Sequence, residues 1–221
     1  MNRIKILTGL PRVFPSEFFS FWELFIPFAV LLFFLSSCSF QTIQKREAEI
    51  LYEKGQTLLS RGHFDEAFEE FEKSLLLSKK AKFMAGVAHN LNEMGIIHTK
   101  RGEYIMARKE FNEAMEIYKN LNMEPETSKS LNNIASTYVL YKDFEGAIKR
   151  FEELIKWDEK SGNSLGVAIT LNNMGLLYEH HLGKNEEAKR RYLQALTIFR
   201  ELGNKKQIQS VEKSIERLIP K

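Results

Sequence analysis

The sequence predicts an all-α protein, a right-handed α-solenoid of four 40-residue helix pairs followed by a C-terminal capping helix. Proline, which breaks helices, is nearly absent after residue 40, where only Pro125 and Pro220 occur. Small and aromatic residues also recur with a period of about 40 residues, and such a period indicates stacked structural repeats. The recurring positions are the small residues Gly55, Gly95, Ala135 and Gly175, the alanines Ala67, Ala107, Ala147 and Ala188, and the aromatics Phe71, Phe111, Phe151 and Tyr192.

Residues 1–40 differ in composition from the rest of the chain. They hold nine of the 17 phenylalanines but few of the charged residues, and an uncharged run extends from Leu24 to Ser39. Three basic residues precede this run, and small residues end it, as in a secretory signal peptide. The sequence Leu35-Ser36-Ser37-Cys38 resembles the lipobox of bacterial lipoprotein precursors. That resemblance implies that residues 1–37 are removed and that Cys38 carries a diacylglycerol, followed by a short linker to residue 46.

A second interpretation of the leader is an uncleaved transmembrane anchor in which Cys38 has no role. A window that begins at Phe18 and is interrupted only by Glu23 reaches the length of about 20 residues that a helix needs to span a bilayer. Both interpretations place the chain on a membrane of the bacterial envelope. If it is a lipoprotein, Ser39 follows the cysteine where an Asp would favour the inner membrane, so the outer membrane is expected.

Charge and cysteine content exclude several classes of protein. The net charge of +3 lacks the surplus expected of a nucleic-acid binder. A single cysteine can form neither an intrachain disulfide nor a Cys-based zinc site.

Four repeat units follow the leader, at 47–81, 82–121, 122–161 and 162–203. A small residue on the first helix and an alanine on the second allow the two helices of a unit to pack closely, and the aromatics fill the space beside that contact. One such pair cannot bury its apolar face alone, so neighbouring pairs must stack. Pro125 begins a helix, Gly162 and Gly203 end helices, and Ser164 is the expected N-cap. Residues 204–221 form the capping helix, with Ile208, Val211, Ile215 and Leu218 at helical spacing.

The repeat pattern resembles the tetratricopeptide repeat, whose signature has small, aromatic and alanine positions at these offsets. The usual period of that family is about 34 residues. The longer unit of this chain, with its LNN motif, is similar to the repeats of kinesin light chains. The resemblance implies a protein-binding scaffold whose first helices line a concave groove. On this basis the groove-lining residues are Tyr52, Gln56, Asn92, Asn132, Asn133, Ser136, Asn172, Asn173 and Glu179.

The recurrent asparagines have two interpretations. Asparagine is a mediocre helix former, so its repetition in mid-helix needs a reason. The amides could bind the backbone of a peptide, since each offers donors and an acceptor. They could equally bond between adjacent helices and hold the stack together.

Nothing in the sequence indicates catalysis. The chain has no HExxH motif, glycine-rich phosphate loop or nucleophile elbow, and His180 and His181 diverge by about 100° on a helix. We therefore expect no enzyme, no catalytic residue, no metal, no cofactor and no small-molecule substrate. The predicted function is a membrane-anchored scaffold or adaptor for an envelope protein or peptide. The alternative is a self-associating structural or regulatory subunit of an envelope assembly.

Overall fold

The computed structural model describes residues 40–218, which form nine α-helices and no strand. The helical stack forms one compact unit that begins at Gln44. Helix α1 extends from residue 40 to residue 60, so it includes residues 40–46, which were predicted from the sequence as part of a short linker. The other helices are α2 (Phe64–Lys80), α3 (Met84–Lys100), α4 (Tyr104–Asn120), α5 (Glu124–Leu140), α6 (Phe144–Lys160), α7 (Ser164–His180), α8 (Asn185–Glu201) and α9 (Lys205–Arg217).

The N-terminal leader and the last three residues lie outside the described residues. The predictions of a signal peptide over 1–37 and of a lipid on Cys38 therefore concern a part of the chain that the structure does not describe. None of the helices within residues 40–218 is both long enough and apolar enough to cross a bilayer.

Every helix from α1 to α8 ends in the same kind of turn. A residue in the left-handed conformation stands in each turn, and its backbone permits the chain to reverse. The residue after Gly102, for example, donates its N–H to the carbonyl of His98, five residues back, which closes a Schellman motif. Between α7 and α8 the equivalent bond runs from Lys184 to Tyr178, because one extra residue is accommodated there. The left-handed residues are Gly62, Lys82, Gly102, Asn122, Lys142, Gly162, Gly183 and Gly203.

The predicted contact between the two helices of a unit is present, and the aromatic side chain makes it. A Cβ added to Gly55 would lie 2.7 Å from the ring of Phe71, and one added to Gly95 would lie 2.7 Å from the ring of Phe111. The ring of Tyr192 covers Gly175 in the same way. The ring of the second helix therefore packs directly against the glycine of the first helix.

Each unit also buries its apolar face against the next one, as stacking requires. Ala67 and Phe71 of α2 form one buried cluster with Met94 and Ile97 of α3. The same arrangement joins α4 to α5 and α6 to α7. The helices consequently form two layers, with the odd-numbered α3, α5 and α7 in successive contact and the even-numbered helices behind them. The protein is an α-solenoid.

Two helix ends test the boundary predictions. Pro125 stands in the first turn of α5, as predicted. The N-cap of α7 is Asn163 and not Ser164, because the Asn163 side chain accepts a hydrogen bond from the backbone N–H of Gly166.

The C-terminal helix α9 packs as the predicted cap. Val211 is fully buried against α8, and Ile208, Ile215 and Leu218 pack around it. Helix α9 thus covers the open apolar face of the last repeat.

Candidate functional site

Asparagines of the odd-numbered helices, which we call the inner layer, bond to one another in pairs. The amide of Asn133 in α5 donates to Oδ1 of Asn92 in α3 at 3.2 Å. The amide of Asn173 in α7 donates to Oδ1 of Asn132 in α5, again at 3.2 Å. Each bond joins the inner helices of two successive repeats, so together they form a ladder along the layer. The structure therefore contains the helix-to-helix bonding that the second interpretation of these asparagines requires.

Two of the predicted groove residues are committed to the stack and are hardly accessible to a ligand. Asn92 is only 2% exposed, because it lies under α5 and accepts a hydrogen bond from Ser130 as well as from Asn133. The carboxylate of Glu179 accepts from the Tyr192 hydroxyl at 2.6 Å and pairs with Arg217 of α9 at 3.2 Å. Neighbouring helices therefore cover both side chains, and their assignment to an open groove remains a prediction.

The other predicted residues remain at the surface of the inner layer. Tyr52 is half-buried between the rings of Phe71 and His89, and its hydroxyl accepts from the exposed Gln56 at 2.9 Å. The hydroxyl of Ser136 donates to the carbonyl of Asn132. The half-buried asparagines are Asn132, Asn133, Asn172 and Asn173.

Two open cavities lie between α5 and α7. The larger, the α5/α7 cavity, has a volume of about 330 Å³ and a mostly apolar wall that includes Val139, Leu140 and Leu176, with Ser136 and Asn173 at its polar edge. The second, of about 240 Å³, lies toward the start of both helices and is bordered by Asn132 and by the buried carboxylate of Asp158 in α6. Because Asn132 lines one cavity and Asn173 the other, the hydrogen bond between them lies at their boundary.

A third cavity of about 210 Å³ lies between α1, α2 and α3. Tyr52, Ser78, Gly86 and His89 are among its lining residues. Burial raises the pKa of the Tyr52 hydroxyl above its usual range and lowers the pKa of His89, because both charged forms would be poorly hydrated there. His89 accordingly favours the neutral form, and its Nδ1 lies 2.8 Å from the hydroxyl of Tyr118.

Three residues at these cavities were not among those predicted from the sequence. His180 and His181 both border the α5/α7 cavity, where the ring of His181 also contacts that of Phe144 at 5.2 Å. The spacing could have identified His180, which stands four residues after Leu176 on the same stripe of α7. Asp158 occupies a position where other repeats have Ser78 or Tyr118, and only the structure shows that it is buried beneath α7.

The titratable groups of the described chain form no metal site. Within residues 40–218, no three histidine, cysteine, aspartate or glutamate side chains are close enough to share a metal ion. His98 has a structural role: its Nδ1 lies 2.6 Å from Glu110, and its ring meets that of Phe68 edge-on at 5.1 Å.

Comparison with solved structures gives the same fold at low sequence identity. Aspartyl phosphate phosphatase F from Bacillus subtilis is 18% identical, with a TM-score of 0.73 over 86% of this chain and 50% of its own. The Rap conjugation gene regulator of plasmid pLS20, in complex with the Phr* peptide, is 14% identical, with a TM-score of 0.57 over 74% of this chain and 50% of its own. A putative kinesin light chain from Podosopora anserina is 15% identical, with a TM-score of 0.58 over 79% of this chain and 95% of its own.

The chain spans about half the length of the first two of these structures. No curated protein sequence matches it. The tetratricopeptide repeat family model, in contrast, matches residues 46–120, 85–160 and 126–201, which together cover all four units from the start of the first to the end of α8. With its repeated helix pairs, its aromatic-on-glycine contacts and this match, the chain belongs to the tetratricopeptide repeat family.

Proposed function

We propose that the protein is a membrane-anchored adaptor of the bacterial envelope, which binds a segment of a partner protein along its inner layer of helices. It acts by binding and not by catalysis. The anchor is the lipid on Cys38, which becomes the first residue after the leader is removed, and the stack beyond residue 44 is the binding module.

The observation that carries the binding role is the α5/α7 cavity. Its wall exposes aliphatic side chains of two successive inner helices, and Leu140 is 50% exposed there. An apolar wall with a few polar groups at its edge is the usual composition of a ligand site. Ser136, Asn173 and His180 supply those polar groups. An apolar side chain of an extended or helical peptide would fit this cavity, while the polar edge would bond to the peptide backbone.

A peptide complex of a similarly folded protein supports this kind of ligand. The Rap conjugation gene regulator was solved with the Phr* peptide. At 14% identity that likeness concerns the fold alone, and the peptide ligand of the present chain is part of our proposal.

The leader supports the membrane anchor. Its basic start, its uncharged run and the sequence Leu35-Ser36-Ser37-Cys38 together resemble a lipoprotein leader. Two or more acyl chains on one cysteine would anchor the protein stably, whereas a single chain binds a bilayer only marginally. We expect Cys38→Ala to abolish palmitate incorporation and to leave an unprocessed precursor. Labelling that persists in this variant would contradict lipidation at Cys38.

Partner capture tests the binding role. The full chain, tagged at its C-terminus, is crosslinked in the envelope and purified in detergent, and the captured proteins are identified by mass spectrometry. We expect Leu140→Glu to lose the partner, because it places a charge on the wall of the cavity. Leu76→Glu is the matched control, since Leu76 on the outer helix α2 is 55% exposed. Equal loss in both variants would refute the cavity as the binding site, and capture of only the chain itself would favour the self-associating alternative.

A further inference from the structure

The two smaller cavities are copies of each other, two repeats apart. Each of the nine residues that line the cavity of α1, α2 and α3 has a counterpart two repeats later that lines the cavity of α5, α6 and α7. The equivalent pairs include Tyr52 and Asn132, Ser78 and Asp158, and Gly86 and Gly166. The repeat itself therefore builds this cavity, at a fixed place beneath the start of an inner helix.

The intervening repeat has a large side chain at the position where these two have a small polar one. Tyr118 is the counterpart of Ser78 and Asp158 and is 2% exposed, while Glu126 stands in place of the glycine. The last repeat has the fully buried Phe199 at this position and Gln207 in place of the glycine. A cavity thus occurs where a short polar side chain of the outer helix and a glycine of the inner helix coincide.

The two cavities differ in charge, because only the second contains a buried carboxylate. Asp158 is fully buried, and its Oδ1 accepts a hydrogen bond from the amide of Asn163 at 3.0 Å. Its Oδ2 makes no hydrogen bond of good geometry among residues 40–218, although the side chain of Ser128 lies close enough to lower the pKa of Asp158. Buried polar atoms in proteins are nearly always hydrogen-bonded, and leaving a carboxylate oxygen unpaired is costly. The Asn163 bond and the start of α7 explain why a polar side chain is tolerated here, but they leave one oxygen without a partner.

Within the described residues, no cation forms an ion pair with this carboxylate. Lys129 is the one basic residue among those that line the cavity, and its Nζ lies 3.7 Å from Glu93 of α3. Burial raises the pKa of Asp158, while its neighbours Ser128 and Asn163 act in the opposite direction. The cavity therefore combines aliphatic walls with one acidic group at its base. Apart from Lys129, which pairs with Glu93, its other lining residues are polar but uncharged, such as Asn132 and Thr170, or aliphatic, such as Leu165 and Ile169.

We propose that this cavity binds the side chain of a lysine or arginine of the partner segment, with Asp158 as the counter-charge and the aliphatic walls around the methylene groups. This assignment rests on the proposed peptide-binding function and specifies one residue of the peptide. Lysine and arginine offer what the site lacks, which is a positive donor at the end of an apolar stem. The neighbouring α5/α7 cavity would then take an apolar side chain of the same segment.

Carboxyl NMR tests the site directly, because the chain has only three aspartates, Asp65, Asp143 and Asp158. The full chain in detergent micelles, labelled with ¹³C at the aspartate Cγ, is titrated with N-acetyl-lysine methylamide and with the corresponding arginine compound. We expect a saturable shift of the Asp158 resonance alone. The norleucine and citrulline compounds, which have the same shape without the charge, should not produce it. A shift of all three resonances together, or of none, would overturn the assignment.

Peptide selection shows whether the site acts in recognition. Random heptapeptides are selected on the full chain, on Asp158→Ser and on Asp143→Ser. Serine is the residue of the first repeat at this position, so Asp158→Ser should fold, and serine can still cap α6 at position 143. We expect the wild type and Asp143→Ser to enrich one basic position and Asp158→Ser to lose it, with affinity about tenfold weaker or more.

The two proposals fail in different ways in this selection. Peptides that bind wild type and Asp158→Ser equally well, without a basic position, would refute the cation site and leave the adaptor function standing. If the wild type selects no peptide, and the partner capture described above yields none either, the adaptor function itself is refuted.

Discussion

The asparagine ladder allows the structural and the recognition roles of these amides to be separated by a double-mutant cycle. Asn132 and Asn173 form one rung, and each can be replaced by alanine alone or together with the other. Alanine improves helix propensity by up to about 0.7 kcal/mol at each position, which would mask part of the loss in a single variant. In the coupling energy of the cycle these single-site contributions cancel, so that only the interaction between Asn132 and Asn173 remains.

A net hydrogen bond contributes about 1 kcal/mol, and both side chains of this rung are half-buried. We therefore expect a coupling energy of about 0.5–1.5 kcal/mol and single variants that lose at most about 1 kcal/mol. Asn172→Ala is the matched control. It occupies the position of Asn132 one repeat later, but residue 214, which would continue the ladder, is a serine whose hydroxyl donates to the carbonyl of Ser210. This control should be neutral, or more stable by up to about 0.7 kcal/mol.

Urea unfolding followed by tryptophan fluorescence measures these changes close to the rung. The chain has two tryptophans, and in a Trp22→Phe background Trp157 of α6 reports alone. A coupling energy near zero would refute the ladder as a source of stability. If Asn132→Ala and Asn172→Ala weaken partner binding equally while the coupling is absent, the amides bind the ligand, and the first interpretation of the asparagines is correct.

Three further predictions concern the turns, the helix contact and the buried carboxylate. Lys142 has φ of +63°, a conformation that glycine adopts without strain, so Lys142→Gly should increase the free energy of unfolding by about 0.5–1 kcal/mol. The control, Lys149→Gly within α6, should lower it by about 1 kcal/mol. If urea titrations show a lower free energy of unfolding for both variants, the backbone at Lys142 is not strained. Gly175→Ala should lose about 1 kcal/mol in the same titration, because overlap with the ring of Tyr192 outweighs the gain in helix propensity, and a more stable variant would show that the ring moves aside. The pKa of Asp158 lies above its ordinary 3.8, so the native state binds this proton more tightly than the unfolded state, and its contribution to stability falls as the pH rises above 3.8. The stability gained by Asp158→Asn should therefore grow from acidic to neutral pH in urea titrations, and a difference independent of pH would contradict the shift.

The helix pairs could be predicted from sequence because their determinants recur. A single glycine such as Gly95 and a single aromatic such as Phe111 indicate no more than one steric contact. Four copies in register define two helices and the faces on which they meet. The turns were less predictable. Lys82, Asn122 and Lys142 adopt the left-handed conformation, where glycine stands in the other turns, because the length of the repeat fixes the reversal whichever residue stands there.

The groove was predicted only in part, because sequence offsets locate a face of a helix but not what covers it. Asn132 and Asn173 lie near the cavities, whereas Asn92, at the same offset as Asn132, is closed over by Ser130 and Asn133 of the next repeat. Glu179 is covered because α9, which follows the last repeat, supplies Arg217. Burial at these positions depends on the neighbouring repeat, and no pattern within one repeat contains that information.

Along the stack, repeats in which a large ring fills the position equivalent to Asp158 alternate with repeats that have a cavity there. The filled repeats serve stability, and the repeats with a cavity serve recognition. In a solenoid each repeat interacts only with its neighbours, so a large buried ring stabilises mainly the units on either side of it. Tyr118 and Phe199 provide such rings, and the cavities at Ser78 and Asp158 lie beside or between these filled repeats. Because the filled repeats stabilise the stack, the cost of an unpaired carboxylate at Asp158 can be tolerated next to them. If Asp158 had no role in recognition, Asp158→Ser would be more stable and would still bind the partner normally.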